Sequence, residues 1–424
     1  MLRFKQGVAV CMLACTILPT AATHAATYYV ATTGNNSNPG TEEQPWQTVV
    51  YAVNTMVAGD TTYVRGGTYT EGAIQFKRSG TQAAPIELLN YPGESPVIDF
   101  VDGLLGKTVT ILHTRGQNVA MGYITIEGFE IKNGHDGIKF HGTHNSVFRR
   151  NWVHHNKNQG VIGIGGHHNL FDRNIINHNG NFVGCANGEM TPSGVSVCGQ
   201  THGMYMHGDT YTITNNLIYD NLANGIQQNG SSTSSYTAAR HPGPEFSGAA
   251  NWVISNNTFA YESYGAGLTI WGSLTNNTRV ENNIFHENQQ ANGSRSGQGV
   301  FFTSCRGTGI TIRNNLSYAS GSGGIPFLGT SGASEGVNYT QSGNLVNISN
   351  PGFVNAPATL MATPNFALTA RSPAIDAGLP LATVKIDFNG TPRPQGRAPD
   401  IGAYEYTTGG DSQPPVPPKL QTPN

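Results

Sequence analysis

The chain has 424 residues, a net charge of −2 and an isoelectric point near 6.7, which give no electrostatic case for nucleic acid or an anionic membrane as a partner. Only 11% of the residues are charged, against about 25% in an average soluble protein, and the 54 glycines are nearly double the usual share of roughly 7%. A hydrophobic content of 37% is too high for disorder and low for a helical globule, so the composition favours a β-rich extracellular protein with many turns.

Residues 1–25 have the pattern of a secretory signal peptide. Arg3 and Lys5 precede the apolar run "VAVCMLACTIL", and the small residues of "TAATHAAT" follow. This order predicts export, with cleavage after Ala25 or Ala26. The apolar run is too short for a membrane span. We therefore expect a secreted protein, periplasmic or extracellular, with no membrane partner.

Residues 26–115 predict an N-terminal cap and the first coils of a stacked β fold. Within them, Trp46–Met56 has the pattern of a short amphipathic helix before a strand. A cap is needed because an open end of such a stack exposes core side chains and strand edges.

Residues 116–350 contain a repeat. The stretch "DGIKFHGTHNSVFRRNWVHHN" from Asp136 matches "QGVIGIGGHHNLFDRNIINHN" from Gln159, with glycines and asparagines recurring 23 residues later. The pattern returns in "HGMYMHG", "TNNLIYDN", "AGLTIWG", "ENNIFHEN" and "GITIRNNLSYAS". Each unit holds short alternating strands and polar turns, without the 3.6-residue period of a long helix. This pattern indicates an all-β solenoid, the parallel β-helix.

The repeat also assigns side chains to the inside and the turns of the β-helix. One inner column is expected to contain Ile138, Val161, Met204, Ile226 and Leu268. The paired asparagines fall at a turn, where side-chain amides stacked at ~4.8 Å can bond along the stack. We therefore assign the asparagines to architecture.

The end of the chain departs from the repeat. Residues 351–406 predict C-terminal coils and a cap, and residues 407–424 are a Pro-rich tail with no packing pattern. Cleavage of the signal peptide removes Cys11 and Cys15 and leaves three cysteines. In an oxidising compartment, Cys185 and Cys198 are expected to form a disulfide, so that Cys305 remains unpaired.

Several segments resemble secreted right-handed parallel β-helix proteins, many of which are bacterial polysaccharide lyases of the pectate-lyase type. They are "NNSNPGTEEQPWQTVV", "AGDTTYVRGGTYTEG", "GFEIKNGHDGIKF", "HGMYMHG" and "SPAIDAG...PDIGAYEY". The resemblance covers most of the mature chain and implies a right-handed parallel β-helix with N-terminal and C-terminal caps. The acidic cluster that binds catalytic calcium in the pectate-lyase type is not found. The resemblance therefore supplies a class of protein and no site residues.

Alternation along the strands predicts which side chains face outward. The outward pairs are Lys139 and His141, Ile162 and Ile164, Tyr205 and His207, Gln227 and Asn229, and Thr269 and Trp271. Stacked, they form one exterior ribbon, in which Lys139 and Tyr205 lie two rungs, about 10 Å, apart. That distance is the size of one or two sugar rings.

This ribbon suits an acidic polysaccharide. Tyr205 and Trp271 offer faces for stacking on sugars, and Lys139 can pair with a uronate carboxylate. β-Elimination of a uronate needs a base for the C5 proton, a cation or calcium for the carboxylate, and an acid at the leaving oxygen. We assign His207 or Lys139 as the base and Tyr205 as the acid. Calcium stays open as a cofactor.

Residues around the ribbon are expected to add substrate contacts. The substrate-binding set is His141, His202, Asp209, Gln227, Asn229, Arg240 and Trp271. His202 and Asp209 flank the Tyr205 strand, where turn hydrogen bonds, mutual pairing and metal binding are alternatives. The remaining turn histidines are interpreted as stacked side chains, because no carboxylate or cysteine lies at zinc-ligand spacing; they are His154, His155, His167, His168 and His178.

The leading hypothesis is a secreted, monomeric lyase of a uronate-containing polysaccharide. One alternative is a glycoside hydrolase on the same scaffold, which needs two carboxylates roughly 5–10 Å apart. The other is a non-catalytic surface protein that binds glycan through the Tyr and Trp side chains of the ribbon.

Overall fold

The computed structural model describes residues 25–101, 103, 107–112, 121–190, 194, 196–230, 248–288, 298–318, 327–331, 337–346, 348–356 and 363–408. The predicted signal peptide up to residue 24, the tail from residue 409 and Arg240 lie outside the described residues. The described strands number 31, and 29 of them run in three parallel sheets.

The chain passes through the sheets in the order sheet 1, sheet 2, sheet 3, and the strands are numbered in chain order. Sheet 1 contains β1 (Thr27–Val30), β2 (Thr61–Val64), β5 (Ile86–Asn90), β8 (Ile124–Glu127), β11 (Val147–Arg149), β14 (Leu170–Asp172), β17 (Thr212–Thr214), β20 (Val253–Ser255), β23 (Arg279–Glu281), β26 (Ile310–Arg313) and β29 (Tyr339–Ser342). Sheet 2 contains β3 (Gly67–Tyr69), β6 (Pro96–Asp99), β9 (Glu130–Lys132), β12 (Trp152–His154), β15 (Ile175–Asn177), β18 (Leu217–Tyr219), β21 (Thr258–Ala260), β24 (Ile284–His286) and β27 (Leu316–Tyr318). Sheet 3 contains β4 (Ile74–Gln75), β7 (Val109–Leu112), β10 (Ile138–His141), β13 (Val161–Ile164), β16 (Met204–Met206), β19 (Ile226–Asn229), β22 (Leu268–Trp271), β25 (Val300–Thr303) and β28 (Leu328–Ser331). The last two strands, β30 (Phe353–Asn355) and β31 (Asn365–Leu368), pair antiparallel.

Each strand pairs with its counterpart one turn earlier and one turn later, so the chain winds into a right-handed parallel β-helix, as predicted. The predicted inner column is confirmed by the register of sheet 3, in which Ile138, Val161, Met204, Ile226 and Leu268 are successive partners. All five side chains are at most 1% exposed. The core is therefore one apolar column that continues from turn to turn.

The paired asparagines make the turn between sheets 1 and 2, and the two members of a pair have different tasks. The first adopts left-handed backbone angles, with φ of 55° at Asn215 and at Asn256, which asparagine tolerates better than most residues. The second is buried and bonds to the next turn, as the Asn216 Nδ2 does by donating to Asn257 Oδ1 at 2.9 Å. The predicted stacking of side-chain amides is confirmed.

A second ladder of buried side chains runs along the turn between sheets 2 and 3. Asn156 donates to Asn179 at 2.9 Å, and Asn179 donates to Asn221 at 3.0 Å. The next rung carries Glu262, which is fully buried and accepts from the Asn221 backbone N–H at 2.8 Å. A carboxyl group therefore occupies a position that the preceding turns give to an amide.

In the part of the chain that the structure describes, two short α-helices interrupt the strands. Helix α1 (Val49–Thr55) begins after Thr48, whose hydroxyl accepts from the Tyr51 N–H, and it buries Val49 and Ala52 in the core. It agrees with the helix predicted within Trp46–Met56. Helix α2 (Phe182–Ala186) lies in the loop between β15 and β16. Among the described helices, none has the length and apolar character needed to cross a membrane.

Residues 363–406 pack along the outer side of sheet 2. Phe366 contacts Tyr219 and Tyr261 of two successive turns, and the ion pair between Arg393 and Glu405, at 2.7 Å, is almost fully buried. The sequence predicts coils and a cap for residues 351–406, and the boundaries of that unit stay a prediction. In the structure, the apolar side chains of this segment pack against the side of the β-helix, along the turns that carry β15 to β27.

Candidate functional site

The outward residues of sheet 3 form the row that the repeat predicts. The register pairs Lys139 with Ile162, Ile162 with Tyr205, Tyr205 with Gln227 and Gln227 with Thr269. Two rungs separate Lys139 from Tyr205, which corresponds to about 10 Å. We call this set, together with His141, His207, Asn229 and Trp271 at the ends of the same strands, the sheet-3 row.

The sheet-3 row is open at some rungs and buried at others. Lys139, His141, Tyr205 and His207 are partly exposed, and Trp271 is 37% exposed. Gln227 and Asn229 face the same side but are only 2% and 3% exposed. This corrects the expectation that both amides lie at the surface of an exterior ribbon. Alternation determines the side of a strand that a residue faces, and tertiary packing determines whether that side meets solvent.

Tyr205 lies at the centre of the best-defined group. The Asn229 Nδ2 donates to the Tyr205 Oη at 2.6 Å, across one rung. The rings of Tyr205 and His207 are 5.2 Å apart at 66°, and the ring of His202 stacks on Tyr205 at 5.7 Å. Burial lowers the pKa of His207 to about 4, so its imidazole is neutral near neutral pH. The buried Asn229 therefore supports the hydroxyl group that the exposed part of the row presents.

Lys139 is positioned by a buried carboxylate that the sequence reasoning missed. The Lys139 Nζ lies 3.8 Å from Asp136 Oδ2, which also lies 3.1 Å from His135 Nδ1. The other oxygen of Asp136 accepts from Asn158 Nδ2 at 2.7 Å and from the Gln159 N–H at 3.2 Å. Burial acts to raise the pKa of Asp136, but the hydrogen bond with His135 and the charge of Lys139 outweigh it and hold this pKa below its usual value. The spacing Asp-x-x-Lys at the start of β10 is the sequence signal that could have revealed the pair.

His202 and Asp209, at the two ends of the Tyr205 strand, enter different contacts. His202 is buried, and its Nδ1 accepts from the Asn224 N–H at 3.1 Å. The Asp209 Oδ1 accepts from Asn251 Nδ2 at 2.9 Å. Both residues thus make hydrogen bonds to neighbouring turns. Their roles as substrate contacts stay predictions.

A disulfide loop lies where the strands of sheet 3 begin. Cys185 and Cys198 are bonded, as predicted, and Cys305 is buried with a free thiol. The loop packs on Leu222 and Tyr264 of the next two turns. It therefore borders the Tyr205 rung on one side. Residues 231–247, which contain Arg240, follow the end of β19 and lie outside the described residues.

The turn histidines contact one another, and only part of the predicted set is stacked. His155 lies 4.4 Å from His178 with the rings tilted by 36°, and His167 stacks at 5.2 Å on His144, which the sequence prediction did not include. Among the described residues, no group of three or more His, Cys, Asp or Glu side chains could hold a metal ion. Calcium prefers six to eight oxygen ligands, whereas Asp136 at this surface is already engaged by His135, Lys139, Asn158 and Gln159. The described residues therefore do not fit calcium, and no chemical step is assigned to it.

Two family models match the chain. One, described as Pel9A-like, right handed beta helix region, matches residues 28–182, and the other, described as right handed beta helix region, matches residues 185–350. The chain belongs to the right-handed β-helix superfamily. The chain is 46% identical over 76 residues to pectate lyase PEL9 of Emericella nidulans, a match of 18% of each chain. It is 41% identical over 70 residues to protein YwoF of Bacillus subtilis, a match of 16% of this chain and 15% of that protein. The chain thus matches less than a fifth of the length of either relative. The solved structure of pectate lyase Pel9A is 19% identical, with a TM-score of 0.44, over 90% of this chain and 96% of that one.

Proposed function

We propose that this β-helix protein is an exported polysaccharide lyase that cleaves a uronate-containing glycan by β-elimination at the sheet-3 row. The observation that carries the proposal is the register of sheet 3, which brings a lysine, a tyrosine and a histidine to one outer face. Lys139 lies two rungs from Tyr205, and His207 lies 5.2 Å from Tyr205 by ring centroids. These are the side-chain types that the reaction needs.

The roles follow from the surroundings of each group. The Lys139 Nζ lies 3.8 Å from Asp136 Oδ2 on the outer face of sheet 3, a position that suits pairing with the substrate carboxylate. Neutral His207 takes the C5 proton. The electron pair of the broken C5–H bond forms the C4–C5 double bond, the C4–O bond breaks, and the leaving oxygen takes a proton from the Tyr205 hydroxyl. Lys139 remains the alternative base, as the sequence analysis left open.

Three further facts support the proposal. The relative with 46% identity over 76 residues is named a pectate lyase. A disulfide between Cys185 and Cys198 fits an oxidising compartment outside the cytoplasm, as does the signal peptide predicted for residues 1–25. The half-exposed Trp271, in the same row, offers an apolar face to a sugar ring.

The proposed reaction is tested by measuring its unsaturated product. Incubation with pectate, alginate and glycosaminoglycans should give rising ultraviolet absorbance, because the unsaturated uronate absorbs there. Tyr205→Phe and His207→Ala should each lower kcat/KM by about 10²–10⁴-fold, the usual contribution of an acid or base. Lys139→Ala should act mainly on KM for acidic substrates. The matched control is Lys157→Ala, at an exposed lysine in the turn between β12 and β13, and this variant should retain the parent activity.

Other outcomes would replace the proposal. New reducing ends without absorbance would indicate hydrolysis, and binding without either would indicate a glycan-binding surface protein. An activity that survives both Tyr205→Phe and His207→Ala would show that the reaction occurs elsewhere on the chain.

A further inference from the structure

A cluster of tyrosines lies on the outer face of sheet 1 near the N-terminal end, on a different sheet from the sheet-3 row. Tyr29 of β1 and Tyr63 of β2 are register partners, and the next partner is Leu89 of β5. The rings of Tyr29 and Tyr63 are 5.9 Å apart at 30°. Tyr91, which follows β5, lies 6.2 Å from Tyr29 and 6.3 Å from Tyr63. We call Tyr29, Tyr63 and Tyr91 the tyrosine cluster.

The cluster is partly exposed and held in place. All three tyrosines and Leu89 are intermediate in exposure, whereas the inward residue beside them, Val64, is fully buried. Arg65 lies over the Tyr91 ring at 4.2 Å and donates to Glu94 through Nε at 2.9 Å and Nη2 at 2.7 Å. The Tyr91 hydroxyl donates to Glu42 at 2.6 Å. Rings fixed in this way lose little conformational entropy on binding, which favours their use as contact surfaces.

The ring angles and the surrounding charges narrow the class of ligand. Tyr91 stands at 77° to Tyr63, so the three rings enclose an angle and do not form one flat plane. Glu42, Glu43 and Glu94 surround the cluster, and burial together with the charges of Glu42 and Glu43 raises the pKa of Tyr29. These three carboxylates outnumber the single guanidinium group of Arg65, so the surface around the cluster is negatively charged and repels a polyuronate. An apolar ring surface with hydroxyl groups suits the C–H faces and hydroxyls of an uncharged sugar.

We propose that the tyrosine cluster binds single chains of neutral polysaccharide without cleaving them. The site is separate from the sheet-3 row and does not depend on the proposed lyase activity. It gives the protein a second contact with a mixed glycan matrix, in which neutral and acidic polymers lie side by side.

Affinity electrophoresis in native gels tests this with the whole mature protein. The parent should be retarded by soluble xylan or soluble mixed-linkage β-glucan. The double variant Tyr29→Ala, Tyr63→Ala should lose at least tenfold in affinity. Tyr63→Phe, which keeps the ring, should retain most of the retardation. Lys157→Ala, at an exposed lysine in the turn before β13, is the matched control and should bind these neutral glycans as the parent does. Thermal unfolding of each variant checks that the fold is intact.

The charge argument has its own test. Exchanging Glu42→Gln and Glu43→Gln in a Tyr205→Phe background should increase the retardation by polygalacturonate over that of Tyr205→Phe alone, because the cluster then no longer repels the acidic chain. The proposal is overturned if neither neutral glycan retards the parent, or if the double tyrosine variant is retarded as strongly. It is also overturned if light scattering shows a dimer that the double tyrosine variant converts to a monomer, because a second copy would then cover the cluster.

Discussion

Replacing Asn216 by alanine tests whether the asparagine ladder stabilises the β-helix. Asn216 is fully buried, and its Oδ1 accepts from Asn174, through the backbone N–H at 2.8 Å and through Nδ2 at 2.9 Å. Its Nδ2 lies 3.0 Å from Phe171 O, 2.9 Å from Thr214 O and 2.9 Å from Asn257 Oδ1. One side chain thus connects three successive turns.

The expected loss follows from these contacts. The Nδ2 has two hydrogens to share, so the alanine variant loses about four effective hydrogen bonds, each with a net contribution of about 1 kcal/mol. The Asn174 N–H is also left buried without its acceptor, which adds about 1–3 kcal/mol to the loss of about 4 kcal/mol. The expected total of about 5–7 kcal/mol is a large part of a typical folding free energy of about 5–15 kcal/mol. The free energy of unfolding is measured in urea, by fluorescence and circular dichroism together, with the disulfide intact.

The matched control is the same substitution at Asn54, which is exposed on helix α1. Asn54→Ala should change the free energy of unfolding by less than about 0.5 kcal/mol, because surface substitutions usually do. If Asn216→Ala proved as mild as Asn54→Ala, the ladder would be a consequence of stacking and the reasoning from its hydrogen bonds would fail.

Three further outcomes are expected. Burial raises the pKa of Glu262 well above 4.5, so the folded state keeps a proton that the unfolded state releases, and stability falls as pH rises above about 4.5. Glu262→Gln should remove this fall. The prediction is contradicted if the urea midpoints of parent and Glu262→Gln differ by the same amount at pH 4.5 and pH 7.5. If His207 is the base, kcat/KM should rise with pH through about 4, where its imidazole loses its proton, and this limb should be absent from the residual activity of His207→Gln. Arg393→Met should cost about 3–5 kcal/mol, because it leaves Glu405 buried and unpaired, and equal protease sensitivity of parent and variant between residues 363 and 406 would argue against the lateral docking.

The sequence could predict the features that depend on the repeat. The 23-residue spacing relates Ile138 to Val161, and the motifs that recur after insertions place Met204, Ile226 and Leu268 in the same column. The inner column and the stacked amides therefore follow from the recurring motifs and from alternation. The disulfide followed from the predicted oxidising compartment and from the small number of cysteines. Each of these predictions concerns residues whose relation is local to one turn or repeats between turns.

The features that the sequence could not predict depend on contacts outside the repeat. The docking of residues 363–406 joins positions far apart in the chain, as in the hydrogen bond from Asn215 Nδ2 to the Ile386 carbonyl, 171 residues away. The burial of Gln227 and Asn229 likewise accompanies contacts with side chains of other positions, since the Asn224 Nδ2 donates to Gln227 Oε1 at 3.3 Å and the Asn229 Nδ2 donates to Tyr205 Oη at 2.6 Å. Alternation correctly predicted that both residues face the outer side of the sheet, but it gave no information on whether they are exposed to solvent.

The ladders connect the stability of the fold to the geometry of the candidate site. Asn221 lies in the turn that leads into β19, and β19 carries Asn229, which donates to the Tyr205 hydroxyl on the preceding rung. The Asn221 Nδ2 donates to carbonyl groups on two sides, Ile176 O at 3.1 Å and Tyr219 O at 3.3 Å, and its backbone N–H donates to Glu262. A shift of β19 by one residue would turn Asn229 to the other face of sheet 3 and remove this hydrogen bond. The relation between Tyr205 and its buried donor is therefore a property of the register, and the register is maintained by the buried side chains of the turns.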